Sequence, residues 1–333
     1  MVARRSALLV ILFGCANINA AARPPQTSKG IKTIGVLFPW TREDTEQNAE
    51  EFVEAMQQIG YERDVHFKLV IRMSDGKPDR LSALSEELVK LKVDLILTAS
   101  TLGVLAASRA TSTIPIVFFS VTDPVGGGLA RSLAHPGRNI TGLANVTLDL
   151  NAKRLQWLKE MVPSLTNVAY LINPSTVNTN KFVAASVQSI HDVARPFGLQ
   201  VFIVKAAARD DLERAFDDMA VQRAGAFIVM QDPHLWNLRK EISQLALSRA
   251  LPSMWASADS VDAGGLMSYG HDESSVMPQL AVIVDRIFNG MNAGDVPIEQ
   301  PTKFELVINE RTARALKIAI PRALRLQAAK VID

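Results

Sequence analysis

The stretch Val93-Asp-Leu-Ile-Leu-Thr-Ala-Ser100-Thr-Leu-Gly-Val-Leu-Ala-Ala-Ser-Arg-Ala110-Thr-Ser-Thr-Ile-Pro-Ile-Val-Phe-Phe119 decides the fold. It predicts a strand at 94–99, a helix at 102–110 and a second strand at 114–119. Both strands are nearly continuous runs of Ile, Leu, Val and Phe. Such runs are expected where helices cover both faces of a sheet. A strand, a helix and a strand in succession imply a parallel sheet.

Working outward, the same alternation extends in both directions. Upstream, Ile34-Gly-Val-Leu-Phe38 is an apolar run ended by Pro39. The spacing of Ala49, Phe52, Val53, Met56 and Ile59 predicts a helix over 43–59, with Gly60 as its stop signal. A strand at 67–73, a turn at Asp75-Gly76 and a helix over 78–91 follow. From 120 to 147 the alternation stops at Gly126-Gly-Gly128 and Pro136-Gly137. It resumes with helices at 150–161, 182–194, 212–221 and 238–250 between apolar runs at 168–172, 201–204, 226–230 and 253–255. A helix at 279–289, an irregular piece at 291–301, a strand at 304–308 and a short helix at 310–316 finish the chain. The expected fold class is α/β, with two doubly wound parallel-sheet units flanking an irregular segment.

Composition agrees with an ordinary globular chain. Of 333 residues, 48% are hydrophobic and 21% charged, enough for about two packed domains. The 36 basic and 34 acidic residues nearly cancel, so no nucleic-acid partner is expected. The single cysteine, Cys15, excludes an internal disulfide, and neither a metal site nor a cofactor is expected.

Residues 1–30 read as an export signal and linker. Arg4 and Arg5 precede the apolar run Ala7-Leu-Leu-Val-Ile-Leu-Phe-Gly14, which suits a signal peptide and is too short to span a bilayer. Two processing routes fit. One is cleavage after Ala20-Ala-Ala22; the other is acylation of Cys15 in Leu12-Phe-Gly-Cys15. Either places the protein in the periplasm, in the second case on a lipid anchor.

In open parallel sheets, ligands bind beyond the C-terminal ends of the strands, where helix N-termini supply free N–H groups. Trp40 follows the first strand, Ser100 and Thr101 the third, and Thr122 and Asp123 the fourth. In the second unit Asn173, Asp232 and Trp255 occupy such ends. Ser100 and Thr101 serve equally as helix caps or as an anion site. Asp123 and Asp232 precede prolines and serve equally to fix turns. Trp40, Trp236 and Trp255 serve as core caps or as planes for an apolar ligand. No GxSxG, Walker A loop, GxGxxG or Cys–His pair is present, so no catalytic residue is assigned.

Five motifs carry a resemblance: Ile114-Pro-Ile-Val-Phe-Phe-Ser-Val-Thr-Asp-Pro-Val125, Gly128-Leu-Ala-Arg-Ser-Leu133, Pro136-Gly-Arg-Asn-Ile-Thr-Gly142, Ala263-Gly-Gly-Leu-Met-Ser-Tyr-Gly270 and Glu299-Gln-Pro-Thr-Lys-Phe-Glu-Leu-Val-Ile-Asn309. From about Ile34 to the C-terminus the chain resembles the bacterial ABC transporter substrate-binding proteins, the family that includes tryptophan- and tyrosine-type binders. The resemblance implies a type I periplasmic binding protein, with two lobes joined by three crossings near 120–147, 257–275 and 291–303. It implies lobe one over 31–145 plus 258–296, and lobe two over 146–257 plus 297–333. By position, Ser100, Thr101 and Thr122 are implied to hold a ligand carboxylate, and Asp232, or else Asp123, an ammonium. The chain departs from the family pattern at Gly137-Arg138, at Thr101-Leu-Gly103 and across 271–278.

The expected function is an exported, monomeric receptor that captures a small ligand and delivers it to an ABC permease of the inner membrane. The ligand expected is an amino acid or related small carboxylate, aromatic ones included. The alternatives are a ligand-sensing receptor for a membrane kinase or chemoreceptor, and an α/β enzyme of the glycosyltransferase or epimerase kind.

Overall fold

The computed structural model of the chain describes residues 30–145, 150–174 and 180–333, and of 180–182 only the backbone. The expected export signal, Cys15 included, lies outside the described residues.

The first sheet comprises β1 (Lys32–Phe38), β2 (Phe67–Met73), β3 (Leu95–Ala99), β4 (Ile116–Thr122) and β5 (Ile140–Asn145), in the order β2-β1-β3-β4-β5 and parallel throughout. The helices α1 (Arg42–Gln58), α2 (Leu81–Lys90) and α3 (Ser100–Ala110) connect its first four strands. Each strand from β1 to β4 feeds a core on both faces. Ile34, Val36 and Phe38 pack on the α1 side, while Leu37, Ile96, Phe118 and Val121 pack on the α2 and α3 side. That two-sided burial is why β1, β3 and β4 carry no polar alternation, whereas the edge strand β2 keeps Lys68 and Arg72.

The second lobe begins with α4 (Asn151–Met161) and continues through β6 (Asn167–Ile172), α5 (Asn180–Ala194), β7 (Gln200–Lys205), α6 (Leu212–Val221) and β8 (Ala226–Val229). Then come α7 (Pro233–Asn237), α8 (Arg239–Ser248), β9 (Ser253–Trp255), α9 (Ala258–Asp262) and β10 (Met267–His271). The chain next returns to the first lobe as α10 (Val276–Phe288). It finishes in the second with β11 (Phe304–Asn309), α11 (Glu310–Ala315), α12 (Arg322–Gln327) and β12 (Lys330–Ile332). The second sheet runs β12-β11-β10-β9-β8-β6-β7 and is parallel except where β10 meets β11.

The expected assignment of 258–296 to lobe one is corrected over its first half. Helix α9 and strand β10 belong to the second lobe, because β10 pairs with β9 through Met267 and Ser268. From α10 onward the segment joins the first lobe: Met277, Leu280, Ile283, Val284 and Val296 enter the α1-side core, and Thr141 of β5 donates its hydroxyl to the Val296 carbonyl at 2.8 Å. The chain therefore crosses three times: between β5 and α4, between β10 and α10, and between α10 and β11. The first crossing includes residues outside the described set.

The segment 120–147, read as irregular, contains β5. Its pairing with β4 shifts register between Phe118 and Val121, where Ser120 takes a left-handed φ of 55°. Gly142 of β5 takes φ 149°, and a Cβ there would meet the Phe118 carbonyl oxygen at 1.9 Å. The strand thus depends on a residue with no side chain at its point of closest approach.

Candidate functional site

The ends of β1, β3 and β4 face the ends of β8, β9 and β10 across a cleft of about 490 Å³. Of the residues singled out in the sequence, Trp40, Ser100, Thr101, Thr122, Asp232 and Trp255 line it.

The lobe-one wall is built at the start of α3. Ser100 opens that helix with φ 65°, a conformation costly for a residue with a Cβ, and is 6% exposed. Its Oγ accepts a long hydrogen bond from the Gly103 N–H at 3.4 Å. The first turn of a helix has N–H groups with no intrahelical partner and the positive end of the helix dipole, so this wall suits an anion. Ser120 and Thr122 of β4 lie beside it. Gly103 brings α3 onto β3: a Cβ there would meet Thr98 Oγ1 at 2.4 Å, and that hydroxyl is itself donated to the Leu37 carbonyl at 2.7 Å.

The aromatic wall joins both lobes. Trp40 packs against Phe38 at 4.8 Å and Phe119 at 5.5 Å, and against Trp236 of α7 at 5.5 Å between ring centroids. Trp236 thereby leans on the lobe-one core. Trp255 is more deeply embedded. Its indole nitrogen donates to Ser253 Oγ at 3.0 Å, so it lines the cleft as a fixed part of the lobe-two core.

Two of the expected residues are not among those lining the cleft. Asp123 is exposed, and its Oδ1 accepts the Gly126 N–H at 2.8 Å, which ties it to the glycine turn after β4. Asn173 is buried behind the wall and donates from Nδ2 to Asp232 Oδ1 at 3.1 Å. That same Oδ1 accepts the N–H groups of His234 and Leu235, so Asp232 caps α7 as well as lining the cleft.

Sequence reasoning missed an acidic region. Asp259 of α9 and Glu273, in the crossing between β10 and α10, line the cleft and hydrogen-bond to each other. Burial raises the pKa of both, that of Glu273 well above its ordinary value, and the charges of Asp259, Glu305 and Glu51 add to the rise at Glu273. Arg239 pulls Asp259 partly back. The pair therefore favours holding a proton between its two carboxyl groups. His271, at the end of β10, also lines the cleft. Burial, and then the nearby Arg154 charge, lowers its pKa, so the ring is neutral at pH 7. Glu273 follows the end of β10, a strand the sequence does not announce, and Asp259 sits in α9 just past β9, so nothing in the linear pattern brings the two together.

Two α/β lobes, three crossings and a ligand-sized cleft between strand ends define a type I periplasmic binding protein. The chain belongs to the ABC transporter substrate binding protein family, whose model matches residues 33–332. A tyrosine-binding protein of Clostridioides difficile is 26% identical over 311 residues, covering 92% of this chain and 88% of that protein. Among solved structures, an ABC domain from Streptococcus pneumoniae in complex with L-Trp superposes with a TM-score of 0.82 at 22% identity, covering 91% of this chain and all of that one. A conserved domain protein from Vibrio cholerae gives 0.83 at 23% identity with the same coverage. A substrate-binding protein with adhesive properties from Clostridium difficile, in its ligand-free, open form, gives 0.66 at 22% identity, covering 91% of this chain and 99% of that one. The chain is thus a substrate-binding protein of the ABC transporter class.

Proposed function

We propose that this protein is an exported, periplasmic receptor that closes on an amino acid or a related small carboxylate and delivers it to the permease of an ABC importer. It works by binding and release as a monomer, without chemistry on its ligand. The observation that carries this reading is the composition of the cleft. The α3 N-terminus with Ser100, Thr101 and Thr122 receives a carboxylate, Trp40, Trp236 and Trp255 pack a side chain, and carboxyl groups at Asp232, Asp259 and Glu273 receive an ammonium. Relatives described as binding tyrosine or L-Trp support the ligand class.

The test is mass spectrometry of the solute retained through native purification, followed by calorimetric titration of the twenty amino acids. A retained amino acid that rebinds with a one-to-one stoichiometry is expected. A retained sugar or nucleoside, with no amino acid binding, would overturn the reading.

A further inference from the structure

The charge of the cleft is lopsided. Five of its lining residues carry carboxyl groups: Glu51, Glu54, Asp232, Asp259 and Glu273. Among the described residues lining it, no lysine or arginine is present. A single α-ammonium does not account for this lining. Asp232 is already bonded to Asn173 and to two N–H groups of α7. Asp259 and Glu273 are neighbours, and Glu51 of α1 lines the same cleft from the first lobe. In the same wall, Ser257 has a buried hydroxyl with no hydrogen-bond partner among the described residues.

The aromatic wall adds an independent preference. Indole faces attract cations, most strongly where water is excluded. One corner already shows this, since the Arg239 guanidinium carbon lies 3.8 Å from the centre of the Trp236 ring. Trp40 and Trp255 line the same cavity as the carboxyl groups.

Resting on the amino-acid reading above, we infer that the solute is cationic: it carries, besides the α-amino and α-carboxyl groups, a second positive group held between the indoles and Glu51, Asp259 and Glu273. The carboxylate sits at the α3 N-terminus, and the distal cation lies at the acidic end. Because Glu51 stands on lobe one, Asp259 on lobe two and Glu273 on a crossing, a cation among them draws the two lobes together.

Matched ligands that differ only in the distal charge test this. The mature protein is titrated with L-phenylalanine and 4-(aminomethyl)-L-phenylalanine, and with L-leucine and L-arginine, at low and at high salt. The cationic member of at least one pair is expected to bind at least tenfold tighter at low salt. Glu51→Gln should cut that preference severalfold while leaving the affinity for the neutral member nearly unchanged, and Glu273→Gln should cut the preference severalfold whatever it does to the neutral member. If the neutral member binds as tightly or tighter, the inference falls while the amino-acid reading stands. If no amino acid binds at all, the amino-acid reading falls and takes this inference with it. If the preference exists but survives both substitutions, the assignment of the cation to these carboxyl groups is wrong.

Discussion

Arg239 of α8 and Asp44 of α1 form a buried ion pair that spans the two lobes, with Nη2 2.5 Å from Oδ1. Both side chains are about nine-tenths covered, at 11% and 10% exposure. Each is also fixed within its own lobe. Thr41 donates its hydroxyl to Asp44 Oδ2 at 2.6 Å, and Arg239 donates to the Trp236 carbonyl at 3.1 Å. Asn237 adds a long bond from Nδ2 to the Pro39 carbonyl at 3.5 Å. With the Trp40–Trp236 contact, these links close one side of the cleft. Domain closure of this kind is an equilibrium between states, and contacts made only in the closed state set its position.

Asp44→Asn should therefore shift the protein toward an open form. In the open state both charges return to water, so the loss is read as a change of population more than of fold. A hydrogen bond to a charged group is worth about 1.5–3 kcal/mol, which shifts the closed-to-open ratio roughly tenfold to a hundredfold. Small-angle scattering of the ligand-free variant should show a larger radius of gyration than the parent. An unchanged radius would mean that the aromatic contact alone holds the lobes.

Trp236 and Trp40 should separate in their effects. Trp40 is buried in the lobe-one core, so Trp40→Ala lowers stability by about 3–5 kcal/mol along with affinity. Trp236 is only partly buried and meets that core across the lobe boundary. Trp236→Ala should weaken ligand binding at least tenfold while shifting the thermal midpoint much less than Trp40→Ala does. Calorimetric titration beside differential scanning calorimetry checks both. Equal losses of stability would show that Trp236 belongs to the resting core rather than to the closing surface.

The acidic pair makes stability and binding depend on pH in opposite senses. A carboxyl group whose pKa is raised by folding holds its proton more tightly in the folded than in the unfolded chain. Its stabilising contribution is present at acid pH and is lost as pH rises through the raised folded value. Asp259 and Glu273 are both raised, chiefly by burial. Glu51 raises both, Asp262 adds to Asp259 and Glu305 to Glu273, while Arg239 opposes the shift at Asp259. The thermal midpoint of the ligand-free protein should fall as pH climbs above the ordinary carboxylate range, and Glu273→Gln should raise that midpoint at neutral pH. Affinity for a cationic ligand should rise over the same window, because the cation replaces the shared proton. A pH series of scanning calorimetry and titration reads both. A Glu273→Gln variant less stable than the parent at neutral pH would contradict the assignment.

These predictions divide along the line between what local sequence encodes and what only the assembled chain creates. Strands β1, β3, β4, β6 and β8 are legible because two-sided burial makes them unbroken apolar runs. Strand β5 is not, since it begins after Pro136-Gly137 and carries Gly142 at its tightest contact with β4. Strand β10 ends in Ser268-Tyr-Gly-His271, which has the look of a loop until β9 and β11 pair with it. The cleft follows the same rule. Trp40, Ser100, Thr101 and Thr122 are predictable because strand ends in a parallel sheet all point to one edge. Asp259 and Glu273 meet only because the chain leaves the second sheet at β10 and turns into α10. Their partner Glu51 comes from a helix face that reads as solvent-exposed, and no spacing rule connects three such positions.

Gly103→Ala tests whether the anion wall depends on that local geometry. The added methyl would stand 2.4 Å from Thr98 Oγ1, closer than side-chain carbons approach any atom without something moving. Thr98 has little room to yield, being fully buried and bonded to the Leu37 carbonyl. The strain therefore displaces the first turn of α3, and with it Ser100, whose left-handed conformation aims that turn at the cleft. Overpacking of this kind costs roughly 1–3 kcal/mol of stability. Ligand affinity should fall by at least tenfold, and more for an amino acid than for the matching amine without a carboxylate. Thr98→Ala in the same background removes the hydroxyl in the way and should restore much of the affinity. If Gly103→Ala weakens the acid and the amine equally, the α3 N-terminus is not the carboxylate anchor.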